Sequence, residues 1–458
     1  MLNLTRILKD KDFYRTMLSI ALPVTLQNLI SSSLNMIDTF MITGLGEASI
    51  AAVGQANQVF FLFSILLFGI NSGASIFIAQ FWGKRDASNI RRVLGLGIII
   101  GSIVGLIFTI AALVFPRTIM RILINDPEVI ELGVKYLRVV CISYIFTSIT
   151  FAYSGACRSV RQARLPMVVS GLSIIVNTVL NYCLIFGKFG FPQLGVSGAA
   201  LATVIARVVE ALTIIFIIYR DGSRNVLAAK IKEMTDISIG FVKKFLKTIS
   251  PVILNEGLWS LGLVMYSIAY AKIGKEATAA VQIATTIQNI FMVLSLGLAG
   301  ACATMIGNKI GANEEEEGIS YAKKFCIIGI ITGTILGILL YVSAPFILKL
   351  FSNISPELFE TAKKIIRVIA FYIPSKLYTS ILVVGIFRGG GDTKYSMILE
   401  AGCVWIVGVP LAFLGALVLK LPVHWVVALA YSEEAVKTIL GTPRALSNKW
   451  IKNLVDDI

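Results

Sequence analysis

The chain has 458 residues, of which 56% are hydrophobic and only 15% charged, and its formal net charge is +15. A soluble domain carries about a quarter charged residues, so composition excludes a soluble globular protein and points to one that lives in lipid. The basic residues are scattered over many short segments rather than gathered in a patch, which excludes a nucleic-acid surface.

In chain order, residues 1–15 are polar, and the apolar stretch behind them is too long for a cleaved signal and lacks a small-residue cleavage site. Twelve apolar runs follow, at about 16–40, 52–79, 93–115, 134–156, 167–186, 195–219, 245–271, 278–306, 322–344, 364–387, 396–418 and 421–441. A helix needs roughly 20 apolar residues to cross a hydrocarbon core of about 30 Å. Bare lipid offers no hydrogen-bond partner, and the runs are too long for strands. The expected fold class is an all-α integral membrane protein with twelve transmembrane helices.

The two halves repeat each other. At an offset of 228, Pro23 falls on Pro251, Ala51-Ala52-Val53 on Ala279-Ala280-Val281, Gly69 on Gly297 and Gly83 on Gly311. Further along the offset drifts, so that Pro116 meets Pro345, Arg138 meets Arg367, and Gly155 and Arg158 meet Gly385 and Arg388. Six spans per half return the chain to its starting side, giving two parallel repeats as transporters use them. The expected organisation is a polar N-terminus (1–15), a six-helix lobe (16–219), an interfacial linker (220–244), a second six-helix lobe (245–441) and a C-terminal tail (442–458). With both termini in the cytoplasm, inward segments hold about 27 of the 41 basic residues, as the positive-inside rule requires. Linker and N-terminus then lie against membrane lipids.

Ionisable groups within spans are costly, about 2.5–3.5 kcal/mol each, and therefore need an explanation. Asp38 lies in SSSLNMIDTFMI. Asn177 and Asn181 are four apart and share a helix face, and Thr203 is on the next span. Together they can hold a protonated carboxyl or give hard oxygen ligands to a small cation such as Na⁺; the Asn residues can equally serve only as helix–helix glue. Glu256 follows Pro251, whose ring loosens the helix, and is a second candidate for cation or proton handling. Its plain alternative is a hydrogen bond to Asn255 or Asn289. Arg207 and Glu210, three apart, read as a structural pair. Glu433, Glu434 and Lys437 read as pairing and snorkelling near a span end, and Glu400 stays open.

Trp259, Tyr266, Tyr270, Phe291, Tyr372 and Tyr378 can line a cavity for flat organic cations, although aromatic stripes are more often packing. The six cysteines (Cys141, Cys157, Cys183, Cys302, Cys326, Cys403) lie singly in apolar runs and read as small buried hydrophobes. His424, beside Trp425, reads as interfacial. There is no phosphate loop, HExxH or GxSxG. An enzyme is not expected, nor any cofactor beyond a coupling ion, H⁺ or Na⁺.

Several segments carry a family resemblance in their order and spacing: ALPVTLQNLISSSLNMIDTFMIT, AAVGQANQ with GINSGASIFIAQFWGKRD, NTVLNYCLIFG, GVSGAALATVIAR, FRGGGDTKYSMILE and SNKWIKNL. With the duplication, the chain resembles the multidrug and toxic compound extrusion (MATE) transporters over nearly its whole length. The resemblance implies two six-helix lobes around a V-shaped cleft, and export of cationic or amphipathic organic compounds in exchange for H⁺ or Na⁺. It implies cation coupling at Asp38, with Asn177, Asn181 and Thr203 around it, and at Glu256, which matches an acid of NorM-type members. DinF-type members often carry Asp where this chain has Asn181, so a two-acid relay is not expected. The protein is read as a monomer of the cell membrane. A lipid-linked oligosaccharide flippase of the same superfamily is the alternative, with a membrane-embedded enzyme or passive channel as the other class.

Overall fold

The computed structural model describes residues 10–349 and 355–456; the outermost parts of the expected N-terminus and tail, 1–9 and 457–458, lie outside the described residues. Each of the twelve expected spans coincides with a helix or a helix pair. In chain order these are α1 (Lys11–Thr43), α2 (Glu47–Gly83), α3 (Ala87–Val114), α4 (Pro116–Leu123), α5 (Pro127–Val140), α6 (Ser143–Ser159), α7 (Arg164–Phe186) and α8 (Val196–Arg220). The second half holds α9 (Ile231–Thr235), α10 (Ile239–Ile273), α11 (Lys275–Gly311), α12 (Glu315–Leu348), α13 (Pro356–Arg388), α14 (Thr393–Val418) and α15 (Val423–Leu446). Nine of these, among the described residues, are long and apolar enough to cross a membrane.

The fourth expected span is not one helix. It breaks at Cys141 and Ile142, between α5 and α6. The Thr109 hydroxyl donates to the Cys141 carbonyl at 2.8 Å and Ser143 to that of Val140 at 2.6 Å, so side chains compete with the helix ladder at the break. Wider, π-helical turns occur at the end of α13 (Ile381–Arg388) and in the middle and at the end of α14 (Val404–Gly408 and Leu414–Val418). Such turns recur at functional sites.

The chain forms two compact units, which depart from the sequence halves in two places. One unit comprises Leu26–Ile78 and Asp86–Leu246; the other comprises Ala79–Arg85, Lys247 onward and the described residues up to Thr25. The start of α1 joins the second set because Phe13 is fully buried edge-on against Tyr321 and Phe325, and Lys324 binds Asp10 at 2.5 Å. The first unit packs around Phe63, Leu67, Met120, Leu137, Tyr144 and Ile185. Phe63 stacks on Tyr144 with ring centroids 4.9 Å apart. The second unit packs around Leu340, Ile366, Ile369, Ile373 and Val426.

The duplication is visible in the backbone. Arg85 and Asn313, 228 apart, both take left-handed conformations (φ 60° and 59°), as do Arg161 and Gly391, 230 apart (φ 63° and 88°). Within the second unit, the ends of α2 and α11 pack reciprocally. A Cβ on Gly83 would lie 2.0 Å from the Asn308 carbonyl oxygen, and one on Gly311 would lie 1.8 Å from that of Gln80. Since residue 80 corresponds to 308 as 83 does to 311, this is an isologous contact between repeats. Only glycine permits it.

The segment between the halves is docked on the first unit. Leu227 and Ala229 are buried, and Met234 of α9 sits where a Cβ on Gly95 would clash at 2.2 Å with its carbonyl oxygen. Arg91 pairs with Glu233 at 2.7 Å, and Arg92 pairs with Asp236. The Glu233 carboxyl is held below its ordinary value, first by the Lys230 N–H at 2.6 Å and then by Arg91. A carboxyl with a depressed folded value stabilises docking above its unfolded value, about 4.3, and that contribution is lost as pH falls through the depressed value. Amide exchange over 227–236, corrected for intrinsic rates, is therefore expected to stay slow from pH 7 to pH 5 and to quicken below about pH 4. In Glu233→Gln that step should vanish; a step of equal size in the variant would assign it to other carboxyls.

The C-terminal tail folds back onto the second unit. Trp450 is fully buried, its indole N–H donates to the Ala445 carbonyl at 2.8 Å, and it fills the space left by Gly390, whose Cβ would meet its ring at 2.3 Å. Lys452 N–H donates to Gly390 at 2.8 Å, Lys452 and Arg444 both bind buried Asp392, and Gln80 holds the Lys452 carbonyl and the Leu454 N–H. The GGGD and SNKW motifs thus meet. Trp450→Ala is expected to cost about 3–5 kcal/mol, read as a lower melting temperature in detergent; an unchanged melting curve would show that the tail contributes no stability.

Candidate functional site

In the first unit, α1, α7 and α8 bring Asp38, Asn177, Asn181 and Thr203 together. The Asn181 amide donates to Asp38 Oδ1 at 2.6 Å and to Asn177 Oδ1 at 3.0 Å; Asn177 in turn donates to Thr203 Oγ1 at 3.5 Å. Thr203 spends its own proton on the Ala199 carbonyl at 3.0 Å. Both asparagines are buried, Asn181 to 1% exposure, while Asp38 is half-buried. Two features distinguish this cluster from helix glue. Asn181 Oδ1 is a buried acceptor without a donor among the described residues, a condition that costs about 1–3 kcal/mol. Asp38 also has no ion-pair partner within 4.0 Å among the described residues. Asp38 is thus a carboxylate with Arg207 within electrostatic reach but no cation within 4.0 Å, beside an amide oxygen with no donor among the described residues.

Sequence reasoning missed Tyr136 of α5, a buried residue within electrostatic reach of Asp38 whose hydroxyl donates to Asn57 Oδ1 at 3.4 Å. Nothing in its span distinguishes it from a packing aromatic. Arg207 and Glu210 form the expected pair at 2.7 Å, and Ser170 adds a donor to Glu210 at 2.8 Å.

In the second unit Glu256 does not stand alone with a neighbouring amide. Arg388, 2% exposed at the end of the π-helical turn of α13, places Nη1 2.7 Å from Glu256 and Nη2 3.1 Å from Glu400. The Asn255 amide donates to Glu400 Oε2 at 2.5 Å. Arg388, which the repeat suggests is scaffold, is thus the ion partner of both acids. A second triad lies on α15. Lys437 binds Glu433 at 3.1 Å and Glu434 at 3.5 Å, Tyr266 donates to Glu433 at 2.6 Å, and Thr379 donates to Glu434 at 2.5 Å. The pairing expected here is present, but the snorkelling is not: all three charged residues are buried at 3–7% exposure. Gly408 makes the room, because a Cβ there would lie 1.9 Å from the Tyr266 hydroxyl.

The six aromatic residues differ in burial. Tyr266, Tyr270 and Tyr378 are buried in the unit's interior, with Tyr378 hydrogen-bonded to Thr442 at 3.0 Å. Trp259 and Phe291 are half-buried against the same core, and Tyr372 packs beside Tyr431 at 6.0 Å between ring centroids. Five of the cysteines are buried and Cys326 is half-buried, all unpaired. Among the described residues no three His, Cys, Asp or Glu side chains converge on a possible metal position.

An all-helical, multi-pass membrane protein with charged and amide groups gathered inside each of two helical units is the architecture of a membrane transporter. The MatE family profile matches residues 23–183 and 251–414, one match in each repeat, and the chain belongs to that family of transporters. It is similar to the probable multidrug resistance protein NorM of Thermotoga maritima, 25% identical over 449 residues, 97% of this chain and 94% of that protein. It is also similar to the probable multidrug resistance protein YoeA of Bacillus subtilis, 24% identical over 87% of this chain and 86% of that one. Among solved structures it resembles the crystal structure of MATE in complex with MaL6 (TM-score 0.86, 22% identity, covering 95% and 96% of the two chains). It equally resembles the outward-facing conformation of a multidrug resistance MATE family transporter of the MOP superfamily (TM-score 0.85, 22% identity, 95% and 96%). The twelve-helix, two-lobe fold expected from the sequence is the fold of these structures.

Proposed function

We propose that the protein exports small cationic or amphipathic organic compounds across the cell membrane by cation-coupled antiport, with Asp38 as the residue that takes the coupling ion. The single observation that carries this reading is a half-buried carboxylate, Asp38, with no ion-pair partner within 4.0 Å, hydrogen-bonded to Asn181, whose buried oxygen has no donor among the described residues. Asn177 and Thr203 complete the polar lining. Multidrug relatives at 24–25% identity support the substrate class. The distribution of Lys and Arg supports termini in the cytoplasm.

The ion acts by binding two conformations of the transporter unequally. A difference of about 1–3 kcal/mol is ordinary for such coupling. The flippase alternative asks for free cations to hold a pyrophosphate, whereas Arg388 and Lys437 are each already bound by two carboxylates.

The test is transport by purified protein in lipid vesicles, with ethidium as the probe and a pH gradient or a Na⁺ gradient imposed separately. Efflux driven by at least one gradient is expected. Ethidium movement indifferent to both would reduce the protein to a passive path and overturn the proposal.

A further inference from the structure

We infer that Arg158 of the first unit binds the carboxylate of a small organic acid or zwitterion, taking from outside the protein the partner that its repeat counterpart, Arg388, receives from within. The binding itself stands apart from transport; only the further step, that the carboxylate belongs to exported cargo, rests on the export reading above.

The two repeats carry the same constellation with different charges. At offsets of 228 and 230, Gln27 falls on Asn255, Asn28 on Glu256, Arg158 on Arg388 and Ser170 on Glu400. The hydrogen bonds follow this correspondence. In the second unit the Asn255 amide donates to Glu400; in the first the Gln27 amide donates to Ser170 Oγ at 3.0 Å. Arg388 holds Glu256 and Glu400 at 2.7 and 3.1 Å. Arg158, among the described residues, has Gln27 Oε1 alone, at 3.4 Å, which is long for a bond from a charged donor. Both positions that supply carboxylates in the second repeat are thus neutral in the first, while the arginine is kept.

The rest of the first unit does not compensate this guanidinium. Arg158 has no ion-pair partner within 4.0 Å among the described residues, and of these only Cys157 is a titratable group within electrostatic reach of it. Glu210, the acid joined to the network through Ser170, is already bound at both oxygens, by Ser170 at 2.8 Å and by Arg207 at 2.7 Å. The C-terminal end of α6 offers a partial negative charge, but Arg388 stands at the matching end of α13 and takes two carboxylates besides. Arg158 is half-buried, and its Nε and Nη2 have no acceptor among the described residues, yet neither is sealed from solvent. These two nitrogens form one edge of the guanidinium, the fork that grips both oxygens of a carboxylate. No second cation joins them, so the site suits the single charge of a carboxylate rather than a pyrophosphate.

The experiment measures binding to the full-length protein in detergent, with no gradient imposed, so that its failure is distinct from failure of the export reading. Benzoate is the probe, titrated calorimetrically, with benzamide as its neutral isostere and inorganic phosphate as competitor. Expected is saturable binding of one benzoate per chain and none of benzamide. Arg158→Gln should weaken benzoate by about tenfold or more, and Arg158→Lys, which keeps the charge without the fork, by less. Asn28→Glu puts a carboxylate where Glu256 stands in the other repeat; it should abolish benzoate binding and raise the melting temperature. Benzoate bound equally by the parent and by Asn28→Glu overturns the inference, and so does a parent that binds none. Phosphate that binds more tightly than benzoate assigns the site to a phosphate, free or on a lipid, and overturns the carboxylate assignment. If Arg158→Gln does not fold, Asn28→Glu still decides.

Discussion

Asp38→Asn is expected to reduce gradient-driven ethidium efflux from vesicles to the passive leak, a loss of about 100-fold or more if coupling is worth the upper part of the usual 1–3 kcal/mol range. The substitution keeps the size of the side chain and removes both its charge and its ability to exchange a proton. It should not harm the fold. Asp38 has no ion-pair partner within 4.0 Å among the described residues, so no buried cation is abandoned, and removing an unpaired charge from a span is neutral or favourable. Expression and melting temperature are therefore expected to match or exceed the parent. This combination, full stability with no pumping, separates a coupling role from a structural one. A variant that pumps like the parent sinks the assignment of Asp38. Asn181→Leu offers a graded companion: it removes the 2.6 Å donor to Asp38 and should weaken ion binding without removing the carboxylate.

The second large effect concerns folding. Gly311→Ala is expected to destabilise the second unit by about 3 kcal/mol or more, the upper end of the overpacking range. The added Cβ would lie 1.8 Å from the Gln80 carbonyl oxygen, 2.4 Å from its carbon and 2.6 Å from its Cα. These are backbone atoms in the last turn of α2, and no rotamer change can clear them. A fall in melting temperature on the order of 10 °C in detergent would follow. Gly83→Ala, its counterpart in the other repeat, should behave alike, since its Cβ would lie 2.0 Å from the Asn308 carbonyl oxygen. Gly54→Ala, at a position where an added Cβ meets nothing within 4 Å, is the control and should be silent. Equal melting temperatures for Gly311→Ala and Gly54→Ala would show that the contact relaxes at little cost.

Much of the cluster around Asp38 was legible because its clues are local or periodic. Two asparagines four apart must share a helix face, and an acid in an apolar run is conspicuous wherever it sits. The role of Arg388 was not legible. Its repeat partner Arg158 and its place at the end of an apolar run suggested a scaffold arginine, and only packing brings it to Glu256, which is 132 positions earlier. The same holds for the tail: SNKW gives no sign, as a string, that Trp450 will fill the space above Gly390. Glu433, Glu434 and Lys437 were paired correctly by their spacing, yet their burial depended on Tyr266 and Thr379 from other helices.

The sequence by itself determined that this is a membrane protein, where its spans lie, that its halves are copies, and that Asp38 and Glu256 break the symmetry between them. These follow from composition, span length and period, which are properties of neighbouring residues. Tertiary structure alone decided which acids keep a countercharge and which do not. Asp38 falls on Tyr266 in the second copy, and there a hydroxyl serves Glu433; Glu256 falls on Asn28 in the first. Charge compensation in a low-dielectric interior acts over a few ångströms between groups more than a hundred residues apart, and no reading along the chain contains that distance.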